Sequence, residues 1–203
     1  MPLKAIASLA VFGGELIANP RPVGAAVPSS RSLAKRMADL LPLDPPGYVV
    51  ELGAGTGAIT EALLERGISP DRIIPIEISA GMTRHLRHRF PGLNVLQGNA
   101  ARLSGLLRKH LDFEKETVSH IVSSLPLRSL APEDVTRIMR EVKRVLAKDG
   151  CLIQYTYDLR RGMHPALAGF ARVTTSVVWF NLPPARVDVF RAIRKNSDTN
   201  SSR

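Results

Sequence analysis

Three alternating glycines close an apolar run in Val49-Val50-Glu51-Leu52-Gly53-Ala54-Gly55-Thr56-Gly57. The apolar run is typical of a buried β-strand, and the segment from Thr60 to Arg66 has the period of a helix. The glycines therefore occupy a strand-to-helix turn, where the lack of side chains lets the backbone bend sharply and approach a ligand closely. This stretch predicts a ligand-binding turn at the carboxyl end of a strand.

Short apolar runs and helical segments keep alternating after this turn. The predicted strands are Tyr48 to Leu52, Arg72 to Ile76, Leu93 to Leu96, Val118 to Ser123 and Cys151 to Tyr157. The predicted helices are Thr60 to Arg66, Ser79 to Arg89, Arg102 to Lys109 and Pro132 to Lys148, the last ended by Gly150. Two further runs, Arg172 to Phe180 and Ala185 to Ile193, predict a terminal antiparallel pair. The pattern indicates an α/β protein with a mostly parallel, seven-stranded sheet and helices on both faces.

The segments outside this alternation predict three regions. Residues 1–47 hold an apolar helix from Pro2 to Ile17, a linker rich in Pro and Gly, and a second helix from Ser29-Ser30 to Leu41. Residues 48–195 form the α/β domain. Residues 196–203 are polar, and we expect a disordered tail.

Composition limits the class of protein. The chain of 203 residues has one cysteine, which excludes a disulfide framework and a Cys-based zinc site and favours a reducing compartment, the cytoplasm. No run reaches the roughly 18 to 20 apolar residues needed to span a bilayer. The net charge is +10, and most of the excess lies after residue 137, which favours a polyanionic partner: nucleic acid or an anionic membrane.

Two acidic residues indicate the chemical class of the ligand. Glu77 ends the second predicted strand, 24 residues after Gly53, where a carboxylate can accept both hydroxyls of a ribose. Glu51 precedes the glycines, and a carboxylate there suits a cationic ligand. The pair predicts a nucleoside that carries a positive charge.

The segment from Glu51 to Gly57, taken with Glu77, resembles the first two motifs of class I S-adenosylmethionine-dependent methyltransferases. The resemblance implies their Rossmann-like fold and S-adenosylmethionine as the cofactor. It also implies a set of cofactor-binding residues: Glu51, Gly53, Ala54, Gly55, Gly57, Glu77, Ile78, Asn99 and Ala100. Asn99 departs from the family, which usually has an acidic residue there to accept from the adenine amine. An amide oxygen can still accept one hydrogen bond.

The loop Ser123-Ser124-Leu125-Pro126-Leu127 follows the fourth strand, where the family positions the methyl acceptor. In the rRNA adenine dimethyltransferases this loop reads Asn-Leu-Pro-Tyr, and its aromatic residue stacks on the flipped base. Ser124 and Leu127 replace the Asn and the aromatic here. The replacement argues against adenine and favours a smaller aliphatic amine.

A closer resemblance covers most of the chain and is to the small soluble bacterial phospholipid N-methyltransferases. The matching pieces are Asn19-Pro20, Val23-Gly24-Ala25, Pro28-Ser29-Ser30, Ala34 to Met37, Glu51 to Gly57, Ser124 to Pro126, Gln154 to Tyr157 and Asn181 to Ala185. It implies stepwise methylation of phosphatidylethanolamine to phosphatidylcholine. It also implies a first helix that binds anionic membrane, and so a cytoplasmic protein associated peripherally with the inner face of the membrane. The residues of the helix from Pro2 to Ile17 form an apolar stripe that fits a lid over the cofactor as well as it fits a membrane-binding helix.

Amine methylation needs a neutral amine whose lone pair points at the methyl group. Our candidate catalytic residues are Tyr157 and the backbone carbonyls of Ser124 and Leu125, with Asp158 as a remote proton acceptor. The five histidines have no metal-binding spacing, so no metal is expected. Three alternatives stay open: an rRNA adenine N6-methyltransferase that binds nucleic acid, methylation of another amino lipid such as an ornithine lipid, and a non-catalytic cofactor-binding protein.

Overall fold

The computed structural model describes residues 27–112, 115–160 and 162–194. The helix predicted from Pro2 to Ile17 and the tail predicted at 196–203 lie outside the described residues. The helices are α1 (Val27–Asp39), α2 (Ala58–Glu65), α3 (Ala80–Arg89), α4 (Leu103–Leu107) and α5 (Pro132–Val145). The strands are β1 (Tyr48–Leu52), β2 (Ile73–Glu77), β3 (Leu96–Gln97), β4 (Val118–Ser123), β5 (Leu146–Thr156), β6 (Phe170–Val178) and β7 (Ala185–Ala192).

The strands of this region form one seven-stranded sheet in the order β3-β2-β1-β4-β5-β7-β6. The strands from β1 to β5 pair in parallel, and β7 runs antiparallel to both β5 and β6. The predicted fold class, including the terminal antiparallel pair, is confirmed. The chain order reverses between β1 and β4, and in such sheets ligands bind outside the carboxyl ends of the strands at that point.

Each central strand sends alternate apolar side chains to the two faces of the sheet. Val50, Ile121 and Leu152 belong to a cluster that packs against α4 and α5. Their neighbours in sequence belong to a second cluster, which packs against α1, α2 and α3. Leu33, Met37 and Leu41 are fully part of that second cluster, so residues 31–41 join the core of the sheet rather than standing apart from it.

The predicted end of α5, at Lys148, is three residues too late. The helix ends at Val145, and β5 begins at Leu146, which pairs with Val118. The next registered pair is His120 with Cys151, so β5 bulges between these points. A Cβ atom on Gly150 would lie 2.8 Å from the carbonyl oxygen of Ser119. Gly150 therefore permits the close approach of two strands. The prediction that Gly150 ends a helix is wrong.

The third strand is shorter than its apolar run predicts. Leu93 and Val95 are buried, but the N–H of Val95 donates to the carbonyl of Leu93, and the Val95 carbonyl accepts two bonds from the Arg87 guanidinium at 3.2 and 2.9 Å. Because the Arg87 side chain occupies the Val95 carbonyl, the pairing of β3 with β2 starts only at Leu96.

Candidate functional site

The glycine turn follows β1 at the crevice between β1 and β4. The N–H groups of Gly53 and Ala54 donate to the carbonyl of Ile76 at 2.9 and 3.2 Å, which ties the turn to β2. Gly53 and Gly57 have φ of 73° and 87°, in the left-handed region that favours glycine. A Cβ on Gly53 would lie 2.9 Å from Leu125 Cδ2. The lack of a side chain at Gly53 therefore lets the acceptor loop pack directly against the main chain of the turn.

Glu77 holds the middle of this turn from the end of β2. Its carboxylate accepts from the N–H of Gly55 at 2.9 Å and from the N–H of Ser79 at 2.8 Å. The residue is only 6% exposed. Each carboxylate oxygen has about two acceptor positions, so one position on each stays available for a ribose hydroxyl.

Glu51 lies under the turn with no exposed surface. One carboxylate oxygen accepts from Thr60 Oγ1 at 2.5 Å, while Oε1 is buried and has no hydrogen-bond partner among the described residues. Burial raises the pKa of Glu51 to about 8, although the bonds from Thr60 act in the opposite direction. A cationic ligand at the turn would compensate a charged Glu51, which agrees with the sequence prediction.

Asn99 and its neighbours close the cofactor half of the crevice. Asn99 Oδ1 accepts from the N–H of Ala101 at 2.8 Å and so caps the 3₁₀ turn Ala100–Arg102. The N–H of Gly98 donates to the carbonyl of Glu77 at 2.9 Å, which keeps this turn beside β2. The Asn99 amide oxygen therefore has one acceptor position left for an adenine amine. Ala100 is buried and Ile78 half-buried in the same region.

The end of α3 clamps the glycine turn from outside, which we did not predict. Arg89 donates to the carbonyl of Thr56 at 2.8 Å and forms an ion pair with Glu61 at 2.8 Å. The Phe90 ring lies 2.5 Å from the position that a Cβ on Gly57 would take. A basic residue followed by an aromatic at the end of a helix carries no distinctive sequence signal, so only the fold reveals this contact.

The acceptor loop, residues 123–127, crosses from the glycine turn towards β5. The N–H of Ser124 donates to the carbonyl of Leu52 at 2.9 Å, and the Leu125 side chain lies over Gly53. Gln154 Nε2 donates to the carbonyls of Leu125 and Tyr155 at 3.0 and 2.8 Å. Ser124 and Leu125 are therefore fixed between the two halves of the crevice, and their role towards the acceptor stays a prediction. Gln154, to which the sequence gave no role, fixes the loop.

A cavity of about 410 Å³ opens beyond the acceptor loop, on the β5 and β7 side. Its polar and charged lining includes Arg128, Gln154, Asp158, His164, Arg186 and Asp188. Tyr157 also lines it, 48% exposed, with its ring centroid 5.4 Å from that of Tyr155 in an edge-to-face contact. Burial, with a smaller contribution from Tyr157, raises the pKa of Tyr155, which stays protonated.

The structure thus brings the predicted cofactor residues to one half of the crevice and the predicted acceptor residues to its centre and other half. Among the described residues no cluster of three or more His, Cys, Asp or Glu side chains could hold a metal ion. None of the helices in the same ranges combines the length and apolar character that crossing a membrane requires.

Residues 49–150, half of the chain, match the family model described as a methyltransferase domain. The chain belongs to the methyltransferase family. The methyltransferase is 30% identical over 190 residues to an ornithine lipid N-methyltransferase from Singulisphaera acidiphila. This match covers 92% of the chain and 97% of that protein.

Other relatives match a shorter part of the methyltransferase. The small-subunit rRNA methyltransferase A of Salinibacter ruber is 39% identical over 64 residues, which is 32% of this chain and 21% of that protein. Among solved structures, the TehB-like methyltransferase from Corynebacterium glutamicum has a TM-score of 0.58 at 17% identity and covers 95% of this chain and all of that one. A glycopeptide N-methyltransferase in complex with S-adenosylmethionine has a TM-score of 0.59 at 14% identity, covering 84% and 98% of the two chains.

The methyltransferase is an S-adenosylmethionine-dependent enzyme. Its residues fit that cofactor on two counts: the Oε1 atom of Glu51, which has no partner among the described residues, suits a cation, and the open acceptor positions of Glu77 suit a ribose.

Proposed function

We propose that the enzyme methylates the amine of a membrane lipid headgroup, with phosphatidylethanolamine and its monomethyl and dimethyl derivatives as acceptors leading to phosphatidylcholine. The observation that carries this proposal is the acceptor loop. Leu127, which stands where the rRNA adenine dimethyltransferases have an aromatic residue, is buried and only 6% exposed. A nucleobase would find neither a stacking ring nor the Asn amide at this loop, whereas an aliphatic amine requires neither.

The similarity to a lipid-methylating relative supports the same class of acceptor. It extends over 92% of this chain and 97% of that protein, whereas the matches to rRNA methyltransferase A cover between 32% and 68% of this chain and between 21% and 46% of those proteins. Because that relative is named for ornithine lipid, an ornithine lipid is the second candidate acceptor.

The acceptor residues can bind and orient an amine. S-adenosylmethionine supplies an electrophilic methyl group on its sulfonium. The main-chain carbonyl of Ser124 lies at the loop and can accept an N–H bond from the amine, which aims the lone pair of the amine away from that carbonyl. The Leu125 carbonyl, our other candidate, already accepts from Gln154 Nε2 at 3.0 Å and from the N–H of Leu127 at 2.9 Å, so both of its acceptor positions are filled. Tyr157 presents an aromatic face and a hydroxyl at the cavity, and Asp158 lies next to it as an acceptor for the released proton.

A membrane lipid must reach this crevice from a bilayer surface. The connection between β6 and β7, residues 179–184, lies at the same edge of the sheet as the site, because Thr156 at the end of β5 pairs with Arg186 at the start of β7. Trp179, Phe180 and Leu182 are 69%, 92% and 59% exposed there. Exposed apolar and aromatic side chains at one edge favour peripheral contact with a membrane interface.

Transfer of a labelled methyl group tests this proposal. Vesicles that contain phosphatidylethanolamine, vesicles that contain ornithine lipid, and rRNA are each offered with labelled S-adenosylmethionine. We expect label in one or both lipids and none in the RNA. Label in RNA alone would overturn the proposal and favour an rRNA adenine N6-methyltransferase. Label in none of the three would favour a non-catalytic cofactor-binding protein.

A further inference from the structure

The cavity beyond the acceptor loop has two ion pairs in its lining. Arg186 Nε lies 3.0 Å from Asp188 Oδ2, and both side chains are at least nine-tenths buried. Arg128 Nε lies 3.4 Å from Asp158 Oδ2, and these side chains are 30% and 21% exposed. Buried charges are costly, so two pairs facing one small space indicate a cavity built for a charged ligand.

Both arginines also hold the loop that follows β5. Arg128 Nη2 donates to the carbonyl of Gly162 at 2.8 Å, and Arg186 Nη1 donates to the carbonyl of Leu159 at 3.3 Å. A guanidinium has five N–H donors, so these contacts leave Arg128 with donor capacity for an anion. Arg128 follows the acceptor loop directly, at residue 128, whereas Arg186 is fixed deeper in the sheet.

The other charged or titratable lining groups are compensated or neutral. Asp188 also accepts from Thr175 Oγ1 at 2.6 Å, and Arg172 lies 3.8 Å from it, so its charge is well compensated. Burial and the nearby Arg128 lower the pKa of His164, which is therefore neutral at pH 7. Arg128 and Asp158 are the more exposed charged pair of the lining and present both signs of charge to the cavity, which matches a ligand that is itself both positive and negative.

We propose that this cavity is the acceptor headgroup pocket and that it selects a zwitterion, an amine a few bonds away from a phosphate or carboxylate, whose anionic group binds to Arg128. This inference rests on the proposed lipid function. An anion on Arg128 directs the amine along the lining towards the carbonyl of Ser124 and the face of Tyr157. A cavity of about 410 Å³ is of the size that takes a small headgroup and leaves acyl chains outside.

Short-chain acceptors below their micelle concentration test the pocket without a membrane. The acceptors are dihexanoyl phosphatidylethanolamine, a short-chain ornithine lipid, and hexylamine, which has no anionic group. For Arg128→Gln we expect a KM about tenfold higher for the zwitterions, little change in kcat, and no change for hexylamine, because only the charge-assisted bond to the anion is lost. The phosphate and carboxylate arms show which anionic group the pocket prefers.

Arg31→Gln is the matched control, because Arg31 forms an exposed ion pair with Glu65 on α2, away from the cavity lining. Unchanged S-adenosylhomocysteine affinity and melting temperature would show that Arg128→Gln is folded. An equal rise of KM for all three amines, or no rise, would overturn the pocket assignment. If the wild type methylates no amine, the proposed function fails instead. Calorimetry of dihexanoyl phosphatidylethanolamine on the S-adenosylhomocysteine complex then tests the pocket alone, which is rejected if Arg128→Gln binds as the wild type does.

Discussion

Gln154 Nε2 donates to the carbonyl oxygen of Leu125 at 3.0 Å, so a side chain of β5 fixes the loop that follows β4. The same nitrogen donates to the Tyr155 carbonyl, which settles the orientation of the amide. Gln154 Oε1 is buried without a hydrogen-bond partner among the described residues. The loop position therefore depends on a residue outside the loop.

We expect Gln154→Leu to lower kcat by about tenfold or more, since misplacement of a reacting group by about 1 Å can cost about a hundredfold in rate. Affinity for S-adenosylhomocysteine should change little, because Gln154 lies on the acceptor side. Steady-state kinetics and calorimetry measure the two quantities. Asn94→Leu, which changes an exposed amide before β3, is the control. A cofactor affinity that falls as much as kcat would contradict the assignment.

Glu77→Ala should weaken S-adenosylmethionine binding far more than Asn99→Ala. Glu77 accepts from the N–H of Gly55 in the turn and from the N–H of Ser79, and it keeps acceptor positions for the ribose; charged hydrogen bonds contribute about 1.5 to 3 kcal/mol each. Asn99→Ala removes a cap on a short turn, with a cost of about 1 kcal/mol in stability. Calorimetric titration compares them, and equal losses of affinity would contradict our placement of the ribose.

The free enzyme should lose stability as pH rises from about 4.5 to about 8, because of Glu51. The pKa of Glu51 is raised to about 8 by burial, so over this window the folded state holds a proton that the unfolded state has released. Stability falls with pH wherever the folded state binds more protons. Melting temperatures of the wild type and of Glu51→Gln, measured across this window, check the sign. A wild-type curve parallel to that of Glu51→Gln would contradict it.

Tyr157→Phe should lower turnover with little change in cofactor affinity. The substitution keeps the ring and its contact with Tyr155 but removes the hydroxyl, which we assign to the acceptor amine. Tyr48→Phe is the control: its hydroxyl donates to Glu116 at 2.6 Å, at the start of β1 and far from the crevice. It should cost about 1 kcal/mol in stability and leave kcat unchanged. An unchanged rate for Tyr157→Phe would make Tyr157 a packing residue.

The double variant Trp179→Ser, Phe180→Ser should bind anionic liposomes more weakly than the wild type. Burial of a large apolar side chain contributes about 1.5 to 3 kcal/mol. Liposome sedimentation measures the effect. Leu43→Ser is the control, because Leu43 is 66% exposed in the segment that leads into the start of β1, at the opposite edge of the sheet.

Removal of residues 1–18 is the second arm of this experiment. If the apolar stripe predicted there anchors the protein, truncation abolishes liposome binding and leaves S-adenosylhomocysteine affinity intact. Retained liposome binding with lost cofactor affinity would instead indicate a lid over the cofactor. Equal liposome binding by the wild type and by the Trp179, Phe180 double variant would contradict a membrane contact at the connection between β6 and β7.

The parts of the fold that the sequence predicted are those with local signals. The glycines of residues 53–57 and the acid at 77 mark the cofactor half, because their spacing follows from one strand-turn-helix unit. The sequence predicted no role for Gln154 or Arg128, because the residues that they bind, Leu125 and Gly162, lie 29 and 34 residues away in the chain. Gly150 was predicted to end a helix because a glycine shortly after a lysine, as in Lys148-Asp149-Gly150, occurs both at a helix C-cap and in a β-bulge.

Because the strand order reverses between β1 and β4, each half of the crevice is also built from one continuous segment of the sequence. Residues 48–107 build the half to which we assign the methyl donor, and residues 118–194 build the half to which we assign the acceptor, with the loop after β4 at the boundary. Recombination at one point between these segments could exchange the acceptor half while the donor half stays whole. A chain arranged in this order can therefore change the amine that it methylates and keep the cofactor that it inherited.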